Sequence, residues 1–476
     1  MPTGATIVID LGKTLSKVTL WDEAGRLLDR QTRPNAPVVI DGLHCLDTDG
    51  IGRWLIEALS QYAGHPVRTI VPVGHAAAVA AIRDDRLAFP PLDYEQQVPE
   101  AILATYRAQC DPFEVTGSPA LPCGLNLGAQ LWWAQQRDPD ALAATTLMPW
   151  AQYWAWFLSG SAVSEVTSLG CHSDLWCPQE ADFSPMAHRL GWAARFAPLV
   201  FAGDVVGTLR PAIAQNTGLP ATVRVLAGLH DSNAALHAAR GFPQIAGSDA
   251  TVLSTGTWFI AMRRPATALP ALPPGRDCLI NVDIEGRPVP SARFMGGREI
   301  ESVIGIDTRR VDIKPDQPAL LAAVPDLLAS GTMLLPTLAP GCGPFPDLTA
   351  RWLGDCADGP EEWPEDWPEE WYARRAAMCL YAALVADVAL DLIGSRESLL
   401  IEGRFAEAEV FVRALAALRP QTCVMTANAH NDVSFGALRL IDPALRPQGA
   451  LRRVEPLCGD IDSYRQRWHA ALENAR

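Results

Sequence analysis

Two short stretches decide the fold of this chain: VIDLGKTLSK at Val8–Lys17 and TVLSTGTW at Thr251–Trp258. Each begins as a run rich in β-branched residues and breaks at a glycine set among hydroxyl residues. This pattern is typical of a strand that leads into a tight turn whose backbone N–H groups can face a phosphate. Two such turns, far apart in sequence, predict that two halves of the protein bind one polyphosphate.

The segments around these stretches alternate between strand and helix patterns, which predicts an α/β fold with two similar halves. Ala5–Leu20 predicts two antiparallel strands joined at Gly12–Leu15, with a third strand after them, and Gln244–Ala250 predicts a crossing between the halves. The other predicted elements are helices at Ile51–Tyr62, Leu125–Arg137, Pro149–Leu158, Asp231–Ala239, Gly297–Val303, Trp371–Ile393 and Glu407–Leu418, strands at Val67–Gly74, Thr251–Met262, Leu279–Val282 and Leu399–Ile401, and an acidic loop at Glu361–Glu370.

Composition favours a large enzyme of the cytoplasm. The chain has 476 residues, of which 49% are hydrophobic, and this is enough for more than one core. A net charge of −15 and the lack of a basic stripe argue against a nucleic-acid partner. No apolar run approaches the ~20 residues of a membrane span and no leader pattern is present, so we expect no membrane contact. The eleven cysteines include no C-x-x-C pair, which predicts reduced thiols.

Common nucleotide and hydrolase motifs are missing from the sequence. It contains no G-x-x-x-x-G-K-[ST] loop, no G-x-G-x-x-G turn, no G-x-S-x-G elbow and no H-E-x-x-H pair. These absences argue against a P-loop enzyme, a dinucleotide-binding domain of the Rossmann type, an α/β-hydrolase and a zinc protease of that class.

Short motifs follow one another along nearly the full length of the chain. The first turn carries Asp10, Gly12, Lys13, Thr14 and Lys17, and after it come A-G-L-H-D at Ala227–Asp231, S-T-G-T at Ser254–Thr257, F-M-G-G at Phe294–Gly297, a proline- and glycine-rich loop at Leu335–Arg351 and E-G-R-F-A at Glu402–Ala406. In this order they resemble the landmarks of the FGGY family of carbohydrate kinases, of which the first is D-x-G-[TS]-[TSG]-x-x-K and the last is an adenosine loop. Lys13 stands where most members have Thr or Ser, and it is expected either to reach a phosphate oxygen or to point to solvent.

The resemblance implies two actin-like (ribonuclease H-like) domains with an interdomain cleft. They are expected at residues 1–243, which carry the sugar side and the base, and 244–450, which carry the second turn and the adenosine loop, with a tail at 451–476. Family members move the γ-phosphoryl group of ATP onto a sugar or polyol hydroxyl. The residues that the resemblance assigns to ATP are Gly12, Lys13, Thr14, Lys17, Gly256, Thr257, Gly297 and Gly403.

Phosphoryl transfer explains why these residue types are needed. Backbone N–H groups at Gly12–Thr14 and Gly256–Thr257 can bind a phosphate, because glycine lets it approach the main chain closely. Asp231 stands where the family has its general base, which must accept the proton of the attacking hydroxyl. Mg²⁺ prefers a few carboxylates together with water and phosphate oxygens, and Asp10, with Asp231, is the expected ligand.

The sugar side is expected at His75, Glu165 and Asp231. His75 lies in V-G-H-A, where the family has Q-M-H-G, and Glu165 lies in a segment that resembles the family's T-D-x-S-x-A-S. Both segments depart from the xylulose, glycerol and gluconate groups. By subtraction, we expect a ketose or deoxyketose of the xylulose, ribulose, rhamnulose or fuculose type.

Other readings stay open from the sequence. The chain is expected to bind a small sugar and ATP, and a homodimer is one option for its assembly. A non-catalytic regulator on the same fold would bind sugar and nucleotide without turnover, and an actin- or chaperone-like ATPase would hydrolyse ATP without sugar. A polyol or aldonate kinase would keep the chemistry and change the acceptor.

Overall fold

The computed structural model describes residues 4–266, 268–305, 307, 312–353, 370–427 and 433–474. Their helices and strands alternate along the chain. The strands are β1 (Ala5–Leu11), β2 (Leu15–Trp21), β3 (Leu27–Pro34), β4 (Val38–Ile40), β5 (Leu43–Cys45), β6 (Val67–Gly74), β7 (Val79–Arg83), β8 (Arg86–Leu87), β9 (Thr146–Pro149), β10 (Ser164–Glu165), β11 (Trp176–Cys177), β12 (Asp182–Phe183), β13 (Leu199–Val200), β14 (Val205–Thr208), β15 (Arg224–Leu226), β16 (Leu229–His230), β17 (Ala250–Thr255), β18 (Phe259–Arg264), β19 (Cys278–Val282), β20 (Pro288–Phe294), β21 (Met333–Leu335), β22 (Arg351–Leu353), β23 (Ser398–Gly403), β24 (Cys423–Ala427) and β25 (Leu451–Arg453). The helices are α1 (Thr48–Ser60), α2 (Glu100–Arg107), α3 (Phe113–Thr116), α4 (Leu127–Arg137), α5 (Trp150–Ser159), α6 (Val166–Leu169), α7 (Pro185–Arg189), α8 (Pro211–Thr217), α9 (Asp231–Ala239), α10 (Pro243–Ala246), α11 (Gly296–Ile304), α12 (Gln317–Ser330), α13 (Glu370–Leu392), α14 (Glu409–Leu418), α15 (Val433–Leu438) and α16 (Ile461–Glu473).

The chain folds into two compact units. The first comprises Met1–Gly241, Leu279–Val289 and Asn431–Pro447, and the second comprises Phe242–Cys278, Pro290–His430 and Gln448–Arg476. The sequence places the main division after residue 243, close to this first boundary. It does not anticipate that two later segments pack into the first unit, nor that residues 451–474 belong to the second unit instead of forming a separate tail.

Specific contacts explain this more interleaved division. The backbone N–H of Ile280 donates to the carbonyl of Gly117 at 2.9 Å, and both residues belong to the first unit. In the second unit, α16 buries Trp468, whose indole N–H donates to the carbonyl of Leu334 at 2.9 Å. Such contacts join residues more than a hundred positions apart, so hydrophobic periodicity along the sequence does not reveal them.

In the first unit, the main sheet has the order β14-β15-β6-β1-β2-β3, and β16 also pairs with β6. β1 and β2 form an antiparallel hairpin, whereas β1, β6 and β16 run parallel. Ile7 and Ile9 of β1 pack with the cluster that includes α1, α5 and α8, and Val8 packs on the opposite face with α9 and α15. β1 is therefore buried on both faces, as expected for a central strand of an α/β sheet.

In the second unit, the main sheet includes the strand order β20-β18-β17-β23-β24-β25. β17 and β18 form an antiparallel hairpin, and β17, β23 and β24 run parallel. α11, α12, α13, α14 and α16 contribute to the core against this sheet. The pattern of two antiparallel pairs followed by two parallel pairs is the same as in the first unit. In both units, the predicted turn joins the strands of the first hairpin.

Many sequence predictions agree with this architecture. The α/β class is confirmed, and the helix predicted at Asp231–Ala239 has these bounds as α9. Thr251–Met262 proves to hold two strands, β17 and β18, because the turn at Gly256 interrupts it. Residues 361–369 of the predicted acidic loop lie outside the described residues. The cysteines that the structure describes are free thiols, and none of its described helices is long and apolar enough to cross a membrane.

Candidate active site

Neighbouring parallel strands of the first unit end at one edge of the sheet. Leu11 of β1 and His230 of β16 both pair with Gly74 of β6. The residues that follow these strand ends, His75 and Asp231 among them, therefore leave the sheet at the same edge. Ligands of open α/β sheets bind at the carboxyl ends of the strands. This edge is the candidate site.

Asp10 lies one residue before the end of β1. Alternate residues of a strand share a face, so the side chain of Asp10 is on the same face as Val8. Val8 packs with Ala234 of α9, so Asp10 faces the side of the sheet that α9 covers. Across the hairpin, Lys17 pairs with Asp10, and its Nζ donates to Asp10 Oδ2 at 2.8 Å. The structure thus brings Asp10 and Lys17 together as an ion pair.

Asp231 is the first residue of α9, and its two carboxylate oxygens differ in their contacts. Oδ1 accepts from Nε2 of His230 at 3.1 Å, from the backbone N–H of Ser232 at 2.5 Å and from the Ser232 hydroxyl at 3.2 Å. Oδ2 receives no hydrogen bond from any residue that the structure describes, and the side chain is 30% exposed. One oxygen is fixed and the other is open to a ligand.

The charge state of Asp231 suits a base. Burial raises the pKa of this carboxyl, but the neighbouring His230, with its hydrogen bond, and the hydrogen bond from the backbone N–H of Ser232 outweigh burial. The net effect holds the pKa of Asp231 below its usual value. The carboxylate is consequently ionised at neutral pH, as proton acceptance requires.

His230 is a site residue that the sequence reasoning did not single out. Its ring is buried, and the side-chain amide of Asn233 donates to Nδ1 at 3.3 Å. With Nδ1 accepting, Nε2 is the ring nitrogen that carries a proton and donates it to Asp231 in a hydrogen bond. The position of His230, directly before the predicted base, was the signal in the sequence.

His75 presents a hydrogen-bond acceptor at the same edge of the sheet. Its Nδ1 lies 2.7 Å from the carbonyl of Ala76, so this nitrogen carries the proton and donates. Burial lowers the pKa of His75, which keeps the ring neutral. Nε2 has no hydrogen-bond partner in the part of the chain that the structure describes. The ring packs against Tyr94 and Trp150, with centroids 5.4 and 5.8 Å away.

Lys13 is engaged by an acidic segment of its own unit. Its ammonium donates to Asp93, lies 3.4 Å from Glu95 and sits 5.2 Å from the centre of the Tyr94 ring. Asp93 is 2% exposed. Neither of the two expectations for Lys13 describes this arrangement, because its charge neither points to solvent nor stands open for a phosphate. A partner 80 positions away cannot be read from the sequence.

Replacing Lys13 by methionine is expected to lower the free energy of unfolding by about 2 kcal/mol, because buried Asp93 loses its cation. We expect the KM for ATP to stay within about twofold of the wild-type value, since the substitution removes no side-chain interaction with the nucleotide. Urea denaturation and steady-state kinetics measure the two effects. Lys314→Met is the matched control, because Lys314 and Glu407 form an ion pair on the surface. A large rise in KM for ATP without loss of stability would show that Lys13 contacts phosphate.

Glu165, the other predicted sugar ligand, is fully buried. Its carboxylate accepts from the backbone N–H groups of Thr167 at 3.0 Å and Ser168 at 3.3 Å, and from the Thr167 hydroxyl at 2.6 Å. It therefore caps the N-terminus of α6. Burial raises the pKa of Glu165 to about 7. The structure places this carboxylate against its own segment.

The second unit gathers its predicted nucleotide residues around one turn. Gly297, at the start of α11, packs so closely on Gly256 that an added Cβ would overlap the Gly256 carbonyl oxygen. The N–H of Arg298 donates to the carbonyl of Thr257 at 3.3 Å. Gly403, at the end of β23, has a φ of 89° and lies against Thr255 in the same way. Segments separated by more than a hundred residues thus meet at the second turn.

The glycine N–H groups themselves close the two turns. Gly12 donates to the carbonyl of Leu15 at 3.2 Å, and Gly256 donates to that of Trp258 at 3.0 Å. Among the described residues of the first turn, the backbone N–H groups of Lys13 and Thr14, which follow Gly12, remain available to a ligand. Gly256 instead provides space for a close approach, since a Cβ there would lie no nearer than 3.7 Å to the surrounding protein atoms, whereas a Cβ at Gly12 would lie 2.9 Å from the carbonyl oxygen of Leu15.

Comparisons with known proteins agree with this geometry. Residues 247–448 match the family described as carbohydrate kinase FGGY, C-terminal domain. The L-fuculokinase of Salmonella typhi is 25% identical over 304 residues, which cover 58% of this chain and 61% of that protein. The chain thus spans about three-fifths of the length of this curated relative.

Solved structures extend the similarity to the whole chain. A carbohydrate kinase from Novosphingobium aromaticivorans is 69% identical, with a TM-score of 0.91, over 98% of this chain and 100% of that one. The xylulose kinase of Rhodospirillum rubrum is 17% identical, with a TM-score of 0.78, over 99% of this chain and 98% of that one, so it supports the two-domain fold alone. The chain therefore belongs to the FGGY family of carbohydrate kinases.

Proposed function

We propose that this protein transfers the γ-phosphoryl group of ATP to a hydroxyl of a ketose or deoxyketose, with Asp231 as the general base. The observation that carries the proposal is the asymmetric carboxylate of Asp231. Three donors fix Oδ1, while Oδ2 is open and ionised at neutral pH. A base of phosphoryl transfer needs this combination of fixed direction and open acceptor.

In the proposed step, Asp231 Oδ2 accepts the proton of the sugar hydroxyl while the hydroxyl oxygen bonds to the γ-phosphorus. The bond between the γ-phosphorus and the bridging oxygen breaks, and ADP leaves with that electron pair. The protein does little covalent work in such a reaction, so catalysis rests on position and on neutralising charge.

His75 is proposed to orient the sugar. Its Nδ1 is held by the carbonyl of Ala76, and burial keeps the ring neutral, so Nε2 is an acceptor for a sugar hydroxyl. Because His75 and Asp231 leave the sheet at the same edge, one sugar can meet both acceptors. An acceptor at this position selects for a hydroxyl group and gives no advantage to an anionic substituent.

We propose that the turn in each unit acts on ATP phosphates. In the first unit, the donors are the backbone N–H groups of Lys13 and Thr14, and in the second unit they include that of Thr257. Gly297 and Gly403 support the second turn from α11 and β23. Lys17, beside Asp10, adds a positive charge at the edge of the first sheet.

Mg²⁺ fits the donors at this edge. No group of three or more His, Cys, Asp or Glu side chains suited to a metal occurs among the described residues. Mg²⁺ does not require such a cage, since it is bound by one or two carboxylates with waters and substrate phosphates. Asp10, assisted by Asp231, would hold it, and the ion would neutralise phosphate charge.

Gly256→Ala is expected to weaken ATP binding without destabilising the fold. The new Cβ would make only ordinary contacts within the protein, the nearest at 3.7 Å, but it would occupy space that a phosphate needs. We expect the KM for ATP to rise about tenfold or more with the KM for sugar unchanged, which steady-state kinetics and thermal denaturation measure. An unchanged KM for ATP would remove the second turn from the nucleotide site.

The acceptor class follows from the sugar-side segments and from the relatives. The fuculokinase among the relatives is named for a ketose, and this supports the choice over polyols and aldonates. The test is a coupled ADP-release assay with pentuloses, deoxyhexuloses, polyols and aldonates. The proposal expects strong turnover on one ketose. Turnover on a polyol or aldonate alone would change the acceptor class, and binding without turnover would favour the regulator.

A further inference from the structure

The segment formed by β10 and α6 contacts the residue that precedes the candidate base. Glu165 and Thr167 are both fully buried, and all three hydrogen bonds that the Glu165 carboxylate accepts come from Thr167 and Ser168. The family resemblance predicts that Glu165 contacts the sugar. Its contacts instead make it a support for the Thr167 side chain.

Thr167 connects this segment to the base. Its Oγ1 accepts the backbone N–H of His230 at 3.0 Å and donates to Glu165 at 2.6 Å. The direction of the bond from His230 is fixed, because a backbone N–H can only donate, and Glu165 accepts the proton of Thr167 when its carboxyl is ionised. A hydroxyl has one proton, so the bond to Glu165 leaves the lone pairs of Oγ1 for His230.

We propose that Thr167, held by Glu165, is a positioning residue that sets the direction of Asp231 through the backbone of His230. Fixing the N–H of His230 fixes the peptide that joins Leu229 to His230, and with it the residue whose ring Nε2 holds Oδ1 of Asp231. Oδ2 is then directed away from these donors. The inference rests on the proposed function, since it gives a role to Thr167 only if Asp231 is the base.

The test compares Thr167→Val with Thr167→Ser in the full-length protein. Valine keeps the shape of threonine but leaves the N–H of His230 without an acceptor, whereas serine keeps the hydroxyl. We expect Thr167→Val to lower kcat by about 10- to 100-fold with little change in the KM for sugar, because a misplacement of about 1 Å has effects of that size. Thr167→Ser is expected to restore most of kcat.

A double-mutant cycle separates positioning from a general structural effect. If Thr167 acts through Asp231, adding Thr167→Val to Asp231→Asn causes no further fall in the residual kcat. A further fall of the same size as in the wild-type background would overturn the proposal, as would a rise in KM with kcat unchanged. Glu165→Gln provides a second variant if Thr167→Val does not fold, and it is expected to lower kcat less while leaving KM unchanged.

Failure of this inference can be told apart from failure of the proposed function. A wild-type protein without sugar-dependent ADP release would refute the kinase itself. A wild-type protein that is active, and whose Thr167→Val variant keeps its kcat, would refute only the positioning role.

Discussion

Replacing Asp231 by asparagine is expected to lower kcat by about 10³-fold, because an amide oxygen does not take the proton of the attacking hydroxyl effectively. The asparagine keeps an oxygen for the donors on His230 and Ser232. We therefore expect thermal stability and the KM values for sugar and ATP to change little. ADP release under saturating substrates and thermal denaturation measure these effects.

Asp204→Asn is the matched control for this variant. Asp204 lies in the same unit, is exposed, and accepts the backbone N–H of Phe201 at 2.9 Å, an interaction that asparagine also supports. It is expected to keep the wild-type kcat. If Asp231→Asn keeps more than about a tenth of the wild-type kcat, Asp231 is not the general base.

Gly297→Ala is expected to damage the second unit and its turn together. A Cβ at this position would overlap the carbonyl oxygen of Gly256 and would lie 3.2 Å from the Cα of Thr257. These are backbone atoms, which cannot move aside as a flexible side chain can. We expect the free energy of unfolding to fall by about 3 kcal/mol, as in other overpacked sites, and ATP binding to be lost with the displaced turn. Urea denaturation and calorimetric titration with a non-hydrolysable ATP analogue measure both.

Gly247→Ala controls for the loss of a glycine in the same unit. Nothing lies within 4 Å of a Cβ added at Gly247, so this variant is expected to retain stability and nucleotide binding. A Gly297→Ala protein as stable as Gly247→Ala, with normal affinity for the analogue, would show that α11 does not support the turn.

Local patterns were sufficient to predict the elements that carry the site. The β-branched run at Val8–Lys17 predicts a hairpin, and that at Thr251–Trp258 predicts a strand that leads into a turn, because strand and turn signals are local in sequence. α9 was predicted with its observed bounds, which put Asp231 at the start of a helix. The meeting of Gly256 with Gly297 and Gly403 was implied only by the family resemblance.

Long-range partners were not predictable in the same way. The motif positions of Lys13 and Glu165 predict contacts with the substrates. In the structure, the ammonium of Lys13 donates to Asp93, and the carboxyl of Glu165 accepts from the Thr167 hydroxyl. The hydrogen bond from His230 to Thr167 depends on how distant segments pack, and nothing in either local sequence encodes it. The cytoplasmic location, the homodimer and the nucleotide contacts stay predictions.

The most direct test of the central claim is the fate of the γ-phosphoryl group, followed by ³¹P NMR with the best ketose of the panel. The account predicts one sugar phosphate ester for each ADP formed, and no ADP when the sugar is omitted. Orthophosphate released from ATP at the same rate with and without sugar would contradict it and would identify an ATPase on this fold.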